Sequence, residues 1–388
     1  MAKKKNMTPV GEFEMPQELE KKTNIKEVIQ RIEKEIKKSE EKAFNVYFYV
    51  IDTKGVPSGS LLYIYKMARI LTDMGYKVTM LHNEKEFIGV EQWADKKYAE
   101  LPHSKISDRA VTISPSDFLI IPEIYTDIMS QTRDLPCKRI ILLQNFEYMT
   151  KIIPAGVHPY EYRITDAIVN TEVNKKFMAN NLPRIKTHVV RPGISDGLFR
   201  KNTTPKKMIV NFVAKEADDA SRIVKPFWWK YPRFKWVTFA QLSNLPQEIF
   251  ADALRDAAFT IVIDIKTSFQ YAALEALKAG SIVLCKVPEN IPDWMKNGDE
   301  FSDSIVWFDN LDEVPDILAE LIAMWVRDDI PEKLYETMDD VAKLHSMDDM
   351  KADVEEVFVN GFFKERLEDL KEALETAKNK EKTEVENE

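Results

Sequence analysis

Two rhythms of apolar residues alternate along the chain. Short, almost unbroken apolar runs read as strands buried on both faces, and stretches with apolar residues every third or fourth position read as helices packed on a sheet. Ile25, Val28, Ile29, Ile32 and Ile36 recur at helical spacing among Lys and Glu, which predicts a helix on the body of the protein, a coiled-coil partner being the alternative. FNVYFYVID (44–52) is then a strand, TKGVPSGS a loop, 61–74 a helix closed by Gly75, and YKVTMLHNE (76–84) a second strand. Strand, glycine-bearing loop, helix and strand make a βαβ unit, hence a parallel sheet. DFLIIPE (117–123), RIILLQN (139–145), DAIVNTE (166–172) and HVVRPGI (188–194) continue it, with Thr171 opening a helix and Pro192-Gly193 a hinge.

The pattern restarts in the second half. MIVNFVAKE (208–216), FKWVTFAQL (234–242), 260–265, 281–285 and IVWFDN (305–310) read as strands, with a helix at PQEIFADALRDAA. The segment IVIDIKTSFQYAALEALKAGSIVLC (261–285) is the centre of this half. It predicts a strand, a polar turn at 266–268, a helix over 269–279 capped by Ser268, and another strand after Gly280. Such a helix points its free N–H groups at the turn, where an α/β sheet receives an anion. Two doubly wound halves are expected. Residues 1–43 form a charged arm and a helix, 44–198 a first Rossmann-like domain and 205–345 a second. Residues 346–376 form a terminal helix, and 377–388 a disordered tail.

Composition narrows the setting. The 388 residues carry a net charge of −9, which argues against indiscriminate binding to nucleic acid or anionic membrane. Cys137 and Cys285 both lie in strand-like surroundings and read as buried free thiols in a reducing compartment. No apolar run approaches the roughly 18–20 residues that span a bilayer, and no hydrophobic region follows the N-terminal lysines. A cytoplasmic protein is expected.

Polar residues gather at the expected carboxyl ends of the strands, where open α/β sheets keep ligands: Glu123, then Gln144-Asn145, then Thr171, with Arg191 beside the hinge. Gly55, Ser58, Gly59 and Ser60 suit a loop whose backbone approaches a ligand, although a tight βα turn also uses such residues. Glu275 stands alone among small and apolar neighbours on its helix and must reach solvent or find a polar partner.

The pattern T-S-F-Q-x4-E-A-x3-G over Thr267, Ser268, Phe269, Gln270 and Glu275 resembles E-G-F-G-x4-E-A-x3-G of retaining GT-B glycosyltransferases, the glycogen-synthase-like and mannosyltransferase-like group. The resemblance covers about 45 to 345. It implies two Rossmann-like domains facing a cleft, a terminal helix crossing back to the first, and a nucleotide-sugar donor whose ribose is held by Glu275. It also implies retention of configuration and a first loop (Gly55 to Ser60) that faces donor phosphates and acceptor. The first acid of that pattern is Thr267 here. The family's paired cations on the departing diphosphate would fall to Lys215, with Arg222 or Lys225 as the second, against the reading that these are ordinary surface charges.

No bound metal or separate cofactor is expected, because no D-x-D pattern sits at a strand end and the five histidines are scattered. Ser58, Ser60 and Ser268 lack a paired histidine. RIVKPFWWKYPRFKW (222–236) could stack on nucleic-acid bases or pack its aromatics in the core. The acceptor and oligomeric state stay open. The leading expectation is a glycosyltransferase; the alternatives are a non-catalytic GT-B-shaped binding or assembly protein and an epimerase of the same fold.

Overall fold

A computed structural model describes residues 25–106, 111–213, 217–298 and 300–386. The first lobe is a seven-stranded parallel sheet. Its strands are β1 (Asn45–Tyr49), β2 (Lys77–His82), β3 (His103–Lys105), β4 (Phe118–Pro122), β5 (Lys138–Leu143), β6 (Asp166–Val169) and β7 (Lys186–Val189). They are ordered β3-β2-β1-β4-β5-β6-β7. The second lobe holds β8 (Lys207–Val213), β9 (Thr238–Gln241), β10 (Ala257–Val262), β11 (Ile282–Lys286) and, after the small hairpin β12 (Lys296–Asn297) and β13 (Glu300–Phe301), β14 (Ile305–Phe308). This sheet is also parallel, ordered β14-β11-β10-β8-β9.

Each sheet reverses its winding once, between β1 and β4 in the first and between β8 and β10 in the second. At such a switch the loops leaving adjacent strands diverge, which opens a crevice at their carboxyl ends. The two crevices face each other.

The central strands are buried on both faces, which is why they read as continuous apolar runs: Val46, Phe48, Ile120 and Ile140 pack on one side of the first sheet, Leu119, Ile141 and Ala167 on the other. Strand β3 was not anticipated. Its three residues, His-Ser-Lys, carry no apolar signal and lie at the sheet edge.

The C-terminal segment crosses back. Met347–Val354, a wide-turn helical stretch Glu355–Phe363 and Lys364–Glu386 run on continuously, and Met350, Val354, Phe358, Phe362 and Phe363 are buried in the first lobe's core. Phe363 lies 4.8 Å from the Phe44 ring, 4.7 Å from Tyr76 and 4.8 Å from Phe118. The helix Ile25–Glu40 packs on this terminal helix within the same chain, with Lys371 3.2 Å from Glu40 and Lys378 2.8 Å from Glu33. The helix runs on through Glu386, into the stretch expected as a disordered tail, and Ala377 is buried. Among the described residues no helix is long and apolar enough to cross a membrane.

Candidate functional site

Between the lobes lies a cleft of about 630 Å³, lined from below by the loops after β1, β4 and β5 and from above by those after β9 and β10. Two helix N-termini meet in it. The first belongs to Gly59–Asp73, where Ser58 caps by accepting from the Leu61 N–H at 3.3 Å. Ser58, Gly59 and Ser60 all line the cleft, and the space at 59 suits glycine: a Cβ there would lie 3.0 Å from the Tyr271 ring, a tight contact. Gly55 does not line the cleft. It shapes the preceding turn at φ +78°, where Asp52 accepts from the Lys54 N–H at 2.7 Å.

The second N-terminus belongs to Tyr271–Lys278, and here two expectations change. The helix begins two residues later than predicted, and Ser268 does not cap it. The Ser268 hydroxyl instead donates to the Gln144 carbonyl of the other lobe. Gln270 takes the cap position in a left-handed conformation, φ 60° and ψ 51°, which costs a side-chain-bearing residue about 1 kcal/mol or more. Its amide offsets this by donating to the Asp264 carbonyl at 2.8 Å and the Thr267 carbonyl at 2.9 Å. Thr267 donates in turn to the Asp264 carboxylate at 2.5 Å. Asp264, which lines the cleft just past β10, is a carboxylate that the motif reading overlooked; its signal was the strand-end position. Phe269 is buried against Tyr271 and His345, and Trp294 Nε1 donates to its carbonyl at 2.8 Å.

Glu275 projects into the cleft from the helix's second turn. It makes no hydrogen bond or ion pair with a described residue. Burial holds its carboxyl above the usual carboxylate range, partly offset by the Lys66 ammonium. Lys66, itself buried and donating to the Gly193 carbonyl at 2.7 Å, is lowered by burial and partly restored by Glu275. The lone carboxylate thus faces a ligand space with one cation behind it.

Glu123 is buried at the end of β4, where burial pushes its pKa up to about 7 although it accepts from the Asn145 N–H at 2.9 Å. That bond orders Gln144 and Asn145, which clasp the second lobe: Asn145 Nδ2 donates to the Lys266 carbonyl at 2.9 Å. Glu123, Gln144 and Asn145 all line the cleft.

Thr171 and Arg191 do not. Thr171 caps the helix Glu172–Asn181 through the Asn174 N–H at 3.2 Å, and Asn174 supports Gln144 from behind by donating to its carbonyl at 2.9 Å. Arg191 is pinned outside the cleft by Asp353 of the C-terminal segment, at 2.8 and 2.6 Å. Arg222 and Lys225 are exposed on the helix Ala217–Lys230 and do not line the cleft, Arg222 lying 3.8 Å from Asp312. Both were placed by proximity in sequence to β8, but the helix turns them to solvent. Lys215 lies outside the described residues. Among the described residues no Lys or Arg side chain lines the cleft.

Buried polar atoms without partners show where a ligand is wanted, because leaving such a group unpaired costs on the order of 1–3 kcal/mol. Six such side-chain atoms occur among the described residues, and four line this cleft: Thr53 Oγ1, Trp93 Nε1, Gln144 Oε1 and Tyr271 Oη. None of Thr53, Trp93 or Tyr271 carries a sequence signal of its own.

No family model matches the chain, and no curated protein matches it in sequence. Solved structures do match in shape. The sucrose-phosphate synthase of Thermosynechococcus elongatus superposes with a TM-score of 0.57 at 9% identity, covering 82% of this chain and 98% of that one. The fold is GT-B. An alpha-glucosyltransferase solved with UDP and a 13-mer DNA containing an HMU base gives 0.54 at 12% identity, with 78% and 95% covered. The pneumococcal O-GlcNAc transferase GtfA, solved with UDP and GlcNAc, gives 0.53 at 9%, with 86% and 99% covered. The inter-lobe position of the cleft is therefore that of a GT-B architecture, with the terminal helix returning to the first lobe.

Proposed function

We propose that this protein transfers a sugar from a nucleoside diphosphate donor to an acceptor. The observation that carries the reading is the convergence, in one inter-lobe cleft at both switch points, of the Glu275 carboxylate, which has no partner among the described residues, and four unpartnered buried polar atoms. In this reading Glu275 takes the ribose hydroxyls and the pyrophosphate lies between the helix N-termini at Ser58-Gly59-Ser60 and Gln270-Tyr271, whose N–H groups stabilise growing negative charge. The carboxylate of Asp264, steadied by Thr267, receives hydroxyls of the transferred sugar in place of the missing acid. Lys215 supplies the cation for the departing diphosphate, without a resident metal, and configuration is retained as in the family that the motif resembles. UDP is the first donor base to test, since two structures of like fold were solved with it. The acceptor class is left to experiment, DNA being one candidate because an alpha-glucosyltransferase of like fold was solved with it.

Thermal stabilisation by a panel of UDP-, GDP- and ADP-sugars tests donor binding; a ligand at a hundred times its Kd raises stability by about 2.7 kcal/mol. Stabilisation by none of them refutes the proposal. The absence of a described Lys or Arg at the cleft and of an acid at 267 favours a second reading, a GT-B-shaped binding protein without catalysis. Slow donor hydrolysis separates the two: the enzyme releases free sugar, the binding protein does not.

A further inference from the structure

The basic-aromatic stretch from Arg222 to Trp236 lies away from the cleft, on the end of the helix Ala217–Lys230, a single 3-10 turn at Pro232–Phe234 and the approach to edge strand β9. Its inner side packs as the core alternative foresaw. Phe227 and Phe234 are buried with rings 5.9 Å apart, and Phe227 meets Phe239 edge-on at 5.4 Å. Its outer side does not. Trp229 is 76% exposed, Trp236 53% and Trp228 38%, whereas Trp93 and Trp294 are buried. Exposing three indoles within nine residues forgoes much apolar burial, which marks an interaction surface.

The same stretch contains five Lys or Arg and no Asp or Glu, in a chain of net charge −9. Two of the five are turned toward acids, Lys230 to Asp316 at 2.9 Å and Arg222 to Asp312 at 3.8 Å. Lys225, Arg233 and Lys235 are exposed and make no ion pair with a described residue, Arg233 stacking 4.8 Å over the Phe234 ring. We propose that this surface docks the protein on an anionic lipid bilayer. Indoles settle at the headgroup level with their N–H wet and their rings dry, and neighbouring Lys and Arg pair with anionic headgroups. The acidic remainder of the chain opposes this weakly, since charges beyond about 8 Å are screened at physiological salt. A single nucleic-acid strand asks for a charged groove in which bases stack in series. Neither the inter-lobe cleft nor the smaller pocket around His82 and His103 reaches this segment, so the bilayer is the better fit.

Flotation of the full-length protein with phosphatidylcholine vesicles, with vesicles enriched in phosphatidylglycerol, and a parallel titration with a poly-thymidine oligonucleotide test the assignment. Binding is expected on the anionic vesicles only and weakens with salt. The Lys225→Glu/Lys235→Glu pair should lose roughly fivefold or more per residue. The Trp229→Ser/Trp236→Ser pair should lose binding while keeping its thermal midpoint, because both side chains are exposed. Absence of binding to anionic vesicles overturns the proposal. So does binding that survives in both paired variants, as it would if Lys3, Lys4 and Lys5 carried it, or binding to the oligonucleotide alone. None of these outcomes depends on the chemistry of the cleft.

Discussion

The role of Glu275 gives the sharpest test of the cleft. Its carboxylate is half-buried, lacks a hydrogen-bond partner among described residues and is backed by Lys66, so both oxygens are available to a pair of ribose hydroxyls. A hydrogen bond to a charged group contributes about 1.5–3 kcal/mol net, so at the lower figure losing one bond weakens nucleotide binding about tenfold and losing both roughly 150-fold. Glu275→Ala should fall in that range. Glu275→Gln, which keeps the shape and one acceptor, should fall near its lower end. Because burial raises the Glu275 pKa, the wild-type carboxyl becomes neutral at a higher pH than an exposed glutamate would. Nucleotide affinity should therefore decline as pH falls toward the acidic range, and the decline should disappear in Glu275→Gln. Calorimetric titration with UDP, GDP and ADP across pH measures all three quantities. Wild-type affinity in both variants, with their melting transitions intact, would falsify the assignment and with it the orientation of the donor.

The remaining predictions concern the frame around that carboxylate. Folded Glu123 keeps its proton up to about 7, whereas the unfolded chain releases it near 4.5, so the folded state binds more protons in that window and stability falls as pH rises through it. The penalty, complete above the window, is about 3 kcal/mol; Glu123→Gln should remove that part of the pH dependence, and parallel slopes of melting temperature against pH would contradict it. Gln270→Ala loses two hydrogen bonds and keeps the left-handed strain, so it should destabilise by about 2 kcal/mol, while Gln270→Gly recovers about 1 kcal/mol. Equal denaturant midpoints for the two variants count against the strain argument. Arg191→Ala should lower stability by about 1 kcal/mol and leave nucleotide affinity unchanged, since its partner is Asp353 and not a ligand. Asp264→Asn should slow sugar release from the donor by at least about tenfold while UDP binds as before; a parallel loss of UDP affinity would place Asp264 at the nucleotide instead.

The strands were legible because parallel strands buried on both faces show as apolar runs, and ten of the twelve in the two large sheets left one, edge strand β7 (Lys-Thr-His-Val) being caught only at its last two residues. The strand missed altogether, β3, is held by its neighbour β2 and needs no apolar side chains of its own. Glu275 was legible through its isolation on an apolar helix. Ser268 was misread because local rules make serine a cap, and its real partner, the Gln144 carbonyl, lies 124 residues away on the other lobe. Arg191 was misread for the same kind of reason: its strand-end position suggested a ligand, but the returning C-terminal segment brings Asp353 to it. Asp264 was there to be read at the end of its strand, whereas Tyr271 acquires meaning only where the two lobes meet.

The order in which the chain is synthesised runs against the order in which its parts can be finished. Residues 44–190 supply the whole seven-stranded sheet, yet Phe358, Phe362 and Phe363 fill one of its faces. A nascent first lobe emerging from the ribosome therefore carries an open apolar face until the second lobe has been made and the last helix has emerged. A stop codon anywhere between 205 and 345 leaves that face bare, so such a fragment should be a target for chaperones and proteases and not a working half-protein.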